Sequence, residues 1–117
     1  MPGQIRGFKL LLLTTKGRKS GKTHTTPLGC FDNEDGYFVV ASNAGLPAHP
    51  AWYYNLQSNP QVTVQVHNRV MPATAEVLSG EARMQAWRQV ITAAPSYANY
   101  QKRTTREIPV ILLRPNK

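Results

Sequence analysis

The chain reads as mainly β with α insertions: an antiparallel, barrel-like sheet with short helices at its edges. Three observations predict this. About six short runs carry strand-type residues or strict alternation, each bounded by Gly, Pro, Asn or Asp. Only two or three stretches show helical spacing. No repeat and no linker interrupts the 117 residues, a length close to the commonest domain size, so residues 1–117 are expected to be one domain with a flexible stub over 1–7.

The first strand is expected over residues 8–15, FKLLLLTT, ending at a Gly-Arg-Lys-Ser-Gly turn. Residues 23–31 form the second, where Pro27 and Gly29 predict a bulge or a close approach of ligand to backbone. Asn33-Glu34-Asp35-Gly36 makes a hairpin turn into a strand from Tyr37 to Ser42. A Gly- and Pro-containing loop over 43–49 follows. Pro50 is suited to the first position of a helix, PAWYYNLQS, which Asn59-Pro60 ends. Val62, Val64 and Val66 alternate with Thr63 and Gln65 in the plainest strand of the chain. A turn at His67-Asn68-Arg69 leads to a strand over 70–78, interrupted by Pro72. Ser79 stands as the cap of a helix whose Trp87, Val90, Ile91 and Ala94 form an apolar stripe. Pro95 breaks it, a short helix covers Ser96 to Arg103, and Ile108 to Leu113 make the last strand.

Charge is the main compositional signal. The formal net charge is +8, with six cations between Arg6 and Lys22 and four more between Arg88 and Arg106. Such an excess attracts anions: nucleic acid, acidic lipid, or a phosphorylated or carboxylated small molecule. The lone Cys30 excludes an internal disulfide and suits a reducing cytoplasm. The longest apolar run, Leu10 to Leu13, is far short of the roughly 20 residues that span a bilayer. The N-terminus lacks the apolar segment of a signal peptide.

Gly17-Arg18-Lys19-Ser20-Gly21-Lys22-Thr23 resembles a phosphate-binding P-loop at first sight. The P-loop has four residues between its first glycine and the Gly-Lys pair, and here there are three. A P-loop also opens a helix, whereas Thr23 begins a strand. What remains is a turn with two glycines, three cations and a hydroxyl, able to grip a phosphate or carboxylates, or else a solvated basic hairpin.

The remaining chemistry is sparse. His24, His49 and His67 have no ligand-like spacing, so no metal site is expected. Cys30 lies in an apolar strand and reads as an inert buried thiol. No serine-histidine-acid set and no carboxylate pair is placed for catalysis. A chain so short of reactive side chains fits a reaction carried by a cofactor, which the protein binds and orients. Trp52, Tyr53 and Tyr54 form one aromatic group, and Tyr97 and Tyr100, three apart, another. The first two read as packing anchors and Tyr97 as the pocket candidate.

Three segments in order, LLLTTKGRKSGKTHTTPLGCF, VVASNAGLPAHPAWYYNLQSNPQVTVQV and SYANYQKRTTREIPVILLRP, resemble the deazaflavin-dependent nitroreductases, also described as F420-dependent quinone reductases of actinobacteria. The resemblance implies a split β-barrel like that of flavin-binding and pyridoxamine-phosphate oxidases. It implies a reduced 5-deazaflavin, coenzyme F420, whose hydride passes from ring carbon C5 to an acceptor. Arg18, Lys19 and Ser20 match the turn that contacts the coenzyme's phosphate and oligoglutamate tail. His24, Thr25, Thr26, Pro27, Leu28 and Gly29 match the strand along the cofactor. Val40, Ala41, Ser42 and Asn43 match the segment at the deazaflavin ring, and Ala51, Trp52, Tyr53, Tyr54 and Asn55 the helix that closes the site. Tyr97 matches a tyrosine lining the acceptor pocket, and Ser42 a serine of acceptor binding or proton donation, which makes these two the catalytic candidates.

Some positions depart from the family's best-known members. Asn43 stands in place of a lysine, Gly29 and Ala94 in place of pocket tyrosines, and His24 in place of an arginine. These changes bear on nitroimidazole reduction rather than on coenzyme binding. The family often carries a longer N-terminal segment that associates with membrane. The expected protein is therefore a reductase, cytoplasmic or peripherally membrane-associated, monomer or homodimer, of a quinone-like and in some cases nitroaromatic acceptor. The alternatives are an FMN-dependent reductase of the same barrel and a non-catalytic module for nucleic acid or acidic membrane; no nucleic-acid motif favours the latter.

Overall fold

The computed structural model describes residues 9–116; the stub expected over 1–7 lies outside them. Six strands run β1 (Lys9–Lys16), β2 (Thr23–Asn33), β3 (Gly36–Val40), β4 (Gln61–Val66), β5 (Arg69–Val77) and β6 (Val110–Pro115). Three helices interrupt them: α1 (Ala51–Ser58), α2 (Gly80–Ala93) and α3 (Ser96–Lys102). The strands close a barrel in the order β1-β2-β3-β6-β5-β4, with every pairing antiparallel.

Two apolar cores explain the sequence patterns. Inside the barrel lie Leu11, Leu13, Val39, Val62, Val64, Val66, Ile111 and Leu113, with Trp52, Tyr53 and Leu56 of α1 packed against them. β4 faces solvent on its other side, hence its strict alternation. β3 and β6 are buried on both faces, because α2 and α3 cover their outer side. Phe38, Val40, Val110 and Leu112 meet Ala86, Val90 and Ala94 there, with Tyr97 and Tyr100 partly buried beside them. That double burial produces the unbroken apolar run from Ile108 to Leu113. Cys30 is fully buried, and desolvation pushes its thiol up to about 11, so it stays protonated and unreactive.

Several expected details are corrected. The β1–β2 register runs from Lys9↔Cys30 to Lys16↔Thr23 with no bulge at Pro27 or Gly29. Pro27 is accommodated because β2 pairs with β3 only over Phe31 to Asn33, which leaves its Thr23–Cys30 stretch with β1 on one side. β3 ends at Val40 rather than Ser42, since Ser42 turns to φ −74°, ψ −34° and starts a 3-10 turn over Asn43–Gly45. Pro50 caps α1 from an extended conformation instead of opening it. Ser79 occupies the cap position of α2 without a side-chain bond; its carbonyl takes the Arg83 N–H at 3.3 Å. The last strand starts at Val110, and the preceding Pro109 carbonyl accepts the Ala41 N–H.

Arg83 breaks the apolar stripe of α2. Its guanidinium is buried, donates to the Ile108 carbonyl at 2.6 Å, and lies 4.8 Å from the centre of the Trp87 ring. The structural gain is a tie between α2 and the approach to β6.

Candidate functional site

β2 carries the site along its open edge. Two cavities lie beside it and share Trp52 of α1, one beginning at the basic turn and the other meeting it between Thr26 and Pro27. The first, about 620 Å³, is bounded by Gly17, Arg18, Lys19 and Ser20 of the turn, by Thr23 to Thr26, and by Ala51, Trp52 and Asn55. The second, about 330 Å³, is bounded by Pro27, Leu28 and Gly29, by Val40 and the Ser42–Leu46 loop, and by Pro50, Trp52 and Tyr97.

The turn of the first cavity is held in a fixed form. The Gly17 N–H bonds the Lys22 carbonyl at 2.7 Å and the Gly21 N–H bonds the Gly17 carbonyl at 2.9 Å. Ser20 Oγ and His24 Nε2 pack close over Gly17, at 2.9 Å and 3.0 Å from where a Cβ would stand. Asn55 anchors it to α1. The buried Asn55 Oδ1 accepts from the Arg18 N–H at 3.2 Å and from Arg18 Nη1 at 3.3 Å, while Nδ2 donates to the buried Thr15 hydroxyl. The Arg18 guanidinium lies 5.1 Å from the centre of the Tyr54 ring.

No acid neutralises this turn. Among the described residues no carboxylate pairs with Arg18, Lys19 or Lys22; the ion pairs join Asp32 to Lys9, Glu107 to Arg83, and Asp35 and Glu76 to Arg114. A third cavity of about 640 Å³ sits at the β2–β3 hairpin but is lined by Asp32, Glu34 and Asp35. Size does not separate it from the first cavity; charge does, because its Arg69 and Arg114 stand among three acids, whereas no acid lines the cavity at the turn.

The second cavity is shaped by backbone. Asn43, Ala44 and Gly45 have φ of 47°, 55° and 78° in succession, a left-handed stretch that is costly for the two non-glycine residues. Gly45 is packed so closely that a Cβ would meet the Tyr100 carbonyl at 2.8 Å. Tyr97 stacks edge-on against Phe31 and Tyr100, and burial raises its phenol above the ordinary tyrosine value, so it is protonated at neutral pH.

The family model for the F420H(2)-dependent quinone reductases matches residues 1–115. The chain belongs to that family. It is an F420H2-dependent reductase with reduced coenzyme F420 as its cofactor. The F420H(2)-dependent quinone reductase Rv1261c of Mycobacterium tuberculosis is 39% identical over 109 residues, covering 88% of this chain and 71% of the relative. A solved F420-H2 dependent reductase, FDR-A, superposes with a TM-score of 0.82 at 43% identity over 90% of this chain and 93% of its own. Another solved chain, described as a domain-swapped dimer, gives 0.83 at 43% identity over 90% of this chain and 79% of its own. The split β-barrel is shared more widely: a candidate pyridoxamine 5′-phosphate oxidase of Listeria innocua superposes with a TM-score of 0.63 at 12% identity, a likeness of fold alone.

The residues fit the family's coenzyme. Unpaired cations and the Ser20 hydroxyl stand at one end of the β2 edge and a smaller recess with no charged lining residue at the other, a division that suits a molecule with an acidic tail and an uncharged ring. Of the candidates, Arg18, Lys19, Ser20, His24, Thr25, Thr26, Ala51 and Asn55 bound the first cavity. Pro27, Leu28, Gly29, Val40, Ser42, Asn43 and Tyr97 bound the second, and Trp52 both. Three lie behind the walls. Ala41 is fully buried with its N–H on Pro109 and its carbonyl on Arg106. Tyr53 packs into the barrel core and its hydroxyl accepts from Gln57, while Tyr54 stands under Arg18. Ala44, Leu46 and Pro50 line the second cavity without having been expected there, and Arg106 is bonded to the loop from behind. Beyond Asn43 the loop's Gly and Pro content was its only signal in the sequence, and Arg106 stood there only as one of four cations between Arg88 and Arg106.

Proposed function

We propose that the protein transfers a hydride from reduced coenzyme F420 to a quinone-like acceptor, with flat nitroaromatics as a further acceptor class. The observation that carries this reading is the division of one strand edge into a cationic half and a smaller half lined by no charged residue. At about 3.3 Å per residue, Thr23 and Gly29 stand roughly 20 Å apart, so the matching ligand is elongated, acidic at one end and flat at the other.

Arg18, Lys19 and Ser20 bind the phosphate and tail carboxylates through charge-assisted hydrogen bonds. Asn55 keeps the Arg18 side chain and backbone in place for this. Trp52, common to both halves, Pro27 to Gly29, and Val40, Ser42 and Asn43 enclose the ring, and Tyr97 walls the acceptor side. When bound, the coenzyme supplies a hydride from its C5. Reduction of a quinone to the hydroquinone takes one hydride and one proton. The hydroxyls of Ser42 and Tyr97 have no hydrogen-bond partner among the described residues, and the raised Tyr97 phenol holds its proton at neutral pH, so either suits delivery to a quinone oxygen. Rate then comes mainly from proximity and orientation. The relative described as a domain-swapped dimer supports a homodimer.

The test is a fluorescence titration with coenzyme F420, followed by loss of reduced-coenzyme absorbance with quinone and nitroaromatic acceptors. Saturable micromolar binding with quinone turnover is expected. Absence of saturable binding overturns the reading.

A further inference from the structure

We propose that Arg106 is the positioning residue of the ring cavity, acting entirely through the loop that forms one of its walls. Its guanidinium donates Nε–H to the Leu46 carbonyl at 3.0 Å, Nη1–H to the Ala41 carbonyl at 3.2 Å and Nη2–H to the Ser42 carbonyl at 2.7 Å. Nη1 also meets His49 Nδ1 at 2.9 Å, and since a guanidinium only donates, His49 accepts there as a neutral ring. One planar fork thus ties four points between Ala41 and His49.

This loop needs such a tie. It contains the left-handed Asn43 and Ala44, and its own internal support is slight: the Gly45 and Leu46 N–H groups bond back to the Ser42 and Asn43 carbonyls, and Asn43 Nδ2 bonds the Ala48 carbonyl. A strained backbone persists where its surroundings over-determine it. Arg106 does this from the segment after α3, outside both cavities, and no carboxylate pairs with it among the described residues. Carbonyl and N–H point in opposite directions across a trans peptide. Holding the Ala41 and Ser42 carbonyls therefore also sets the direction of the Ser42 and Asn43 N–H groups, and both residues line the ring cavity. His49 extends the tie toward α1, with its ring centre 4.6 Å from that of Tyr53 and 5.6 Å from that of Tyr54. The loop wall and the α1 wall are thereby set relative to each other by one side chain.

The inference rests on the proposed coenzyme site, and its test separates the two. Dissociation constants are measured by fluorescence for coenzyme F420 and for the tail-less deazaflavin that lacks phosphate and glutamates, using wild type, Arg106→Gln and Arg106→Lys, with melting temperatures in parallel. Both forms are expected to bind Arg106→Gln about tenfold more weakly, by loss of preorganisation, while the ratio between tailed and tail-less affinity stays at the wild-type value. Lysine keeps the charge but cannot span four acceptors, so Arg106→Lys should recover less than half of the loss on a logarithmic scale. A purely structural arginine would lower the melting temperature and leave the dissociation constants of the folded variants unchanged; that result overturns the inference. Should the glutamine variant fail to fold, the lysine variant decides: wild-type affinity for the tail-less form overturns the inference, and weakened affinity supports it. If the wild type itself binds neither form, the coenzyme reading fails and takes this inference with it.

Discussion

The two halves of the β2 edge are built on opposite principles. The turn at Gly17–Lys22 recognises through side chains: exposed cations on a short backbone hinge, anchored at Asn55 and left without carboxylate partners. The Ala41–Pro50 wall recognises through backbone shape, with left-handed residues held by Arg106 and almost no charge facing the cavity. The first half can lose one side chain and keep its form. The second depends on a conformation, and small changes far from the ligand will alter it.

The largest effect is expected from breaking the charged half. Arg18→Ala with Lys19→Ala should weaken binding of long-tailed coenzyme about 100-fold through loss of charge-assisted hydrogen bonds. Affinity for the tail-less ring and the melting temperature should stay close to wild type. Equal weakening of both ligands would mean the turn shapes the ring site too.

Next comes the shaped half. Gly45→Ala places a Cβ against the Tyr100 carbonyl at φ 78° and should cost about 2 kcal/mol of stability by strain and overlap. Calorimetry reads the loss, and the tail-less ligand should bind worst to this variant.

Tyr97→Phe keeps the ring and removes the hydroxyl. Quinone turnover should fall about tenfold, less than the usual effect of losing a proton donor because Ser42 can deliver the proton instead, with the coenzyme dissociation constant unchanged. Unchanged turnover would leave proton delivery to Ser42 or solvent.

The smallest effect concerns His49. Burial, and then the nearby Arg106 charge, hold its pKa below the ordinary histidine value, and the facing groups are Arg106, Tyr53 and Tyr54. The folded state therefore binds fewer protons than the unfolded chain, so stability is complete above pH about 6.5 and declines as the pH falls toward the lowered folded value. The melting temperature of His49→Gln should lack this acid-side slope; an identical slope would place it elsewhere.

The charged half was the more legible in the sequence, and for a physical reason. Arg18, Lys19 and Ser20 are contiguous, and two glycines mark the turn that gathers them. Strands also read well wherever one face is wet, as in Val62 to Val66, or where both are dry, as in Ile108 to Leu113. The shaped half was read mostly through resemblance. Its wall is made of carbonyl directions and positive φ angles at Asn43 and Ala44, residue types that give no warning of such a conformation. Arg106 lies 57 residues from the His49 it bonds and was invisible for the same reason: a long-range tie leaves no local pattern.

The placement of the acids has one more consequence. With Asp32 and Asp35 engaged by Lys9 and Arg114 around the β2–β3 hairpin, and Arg18, Lys19 and Lys22 left without carboxylate partners, the Gly17–Lys22 turn is a concentrated patch of positive charge. A polyanion diffusing toward it is oriented before contact, tail first. Added salt should then slow association far more than it hastens release, and longer glutamate tails should raise the encounter rate even where their last residues touch nothing.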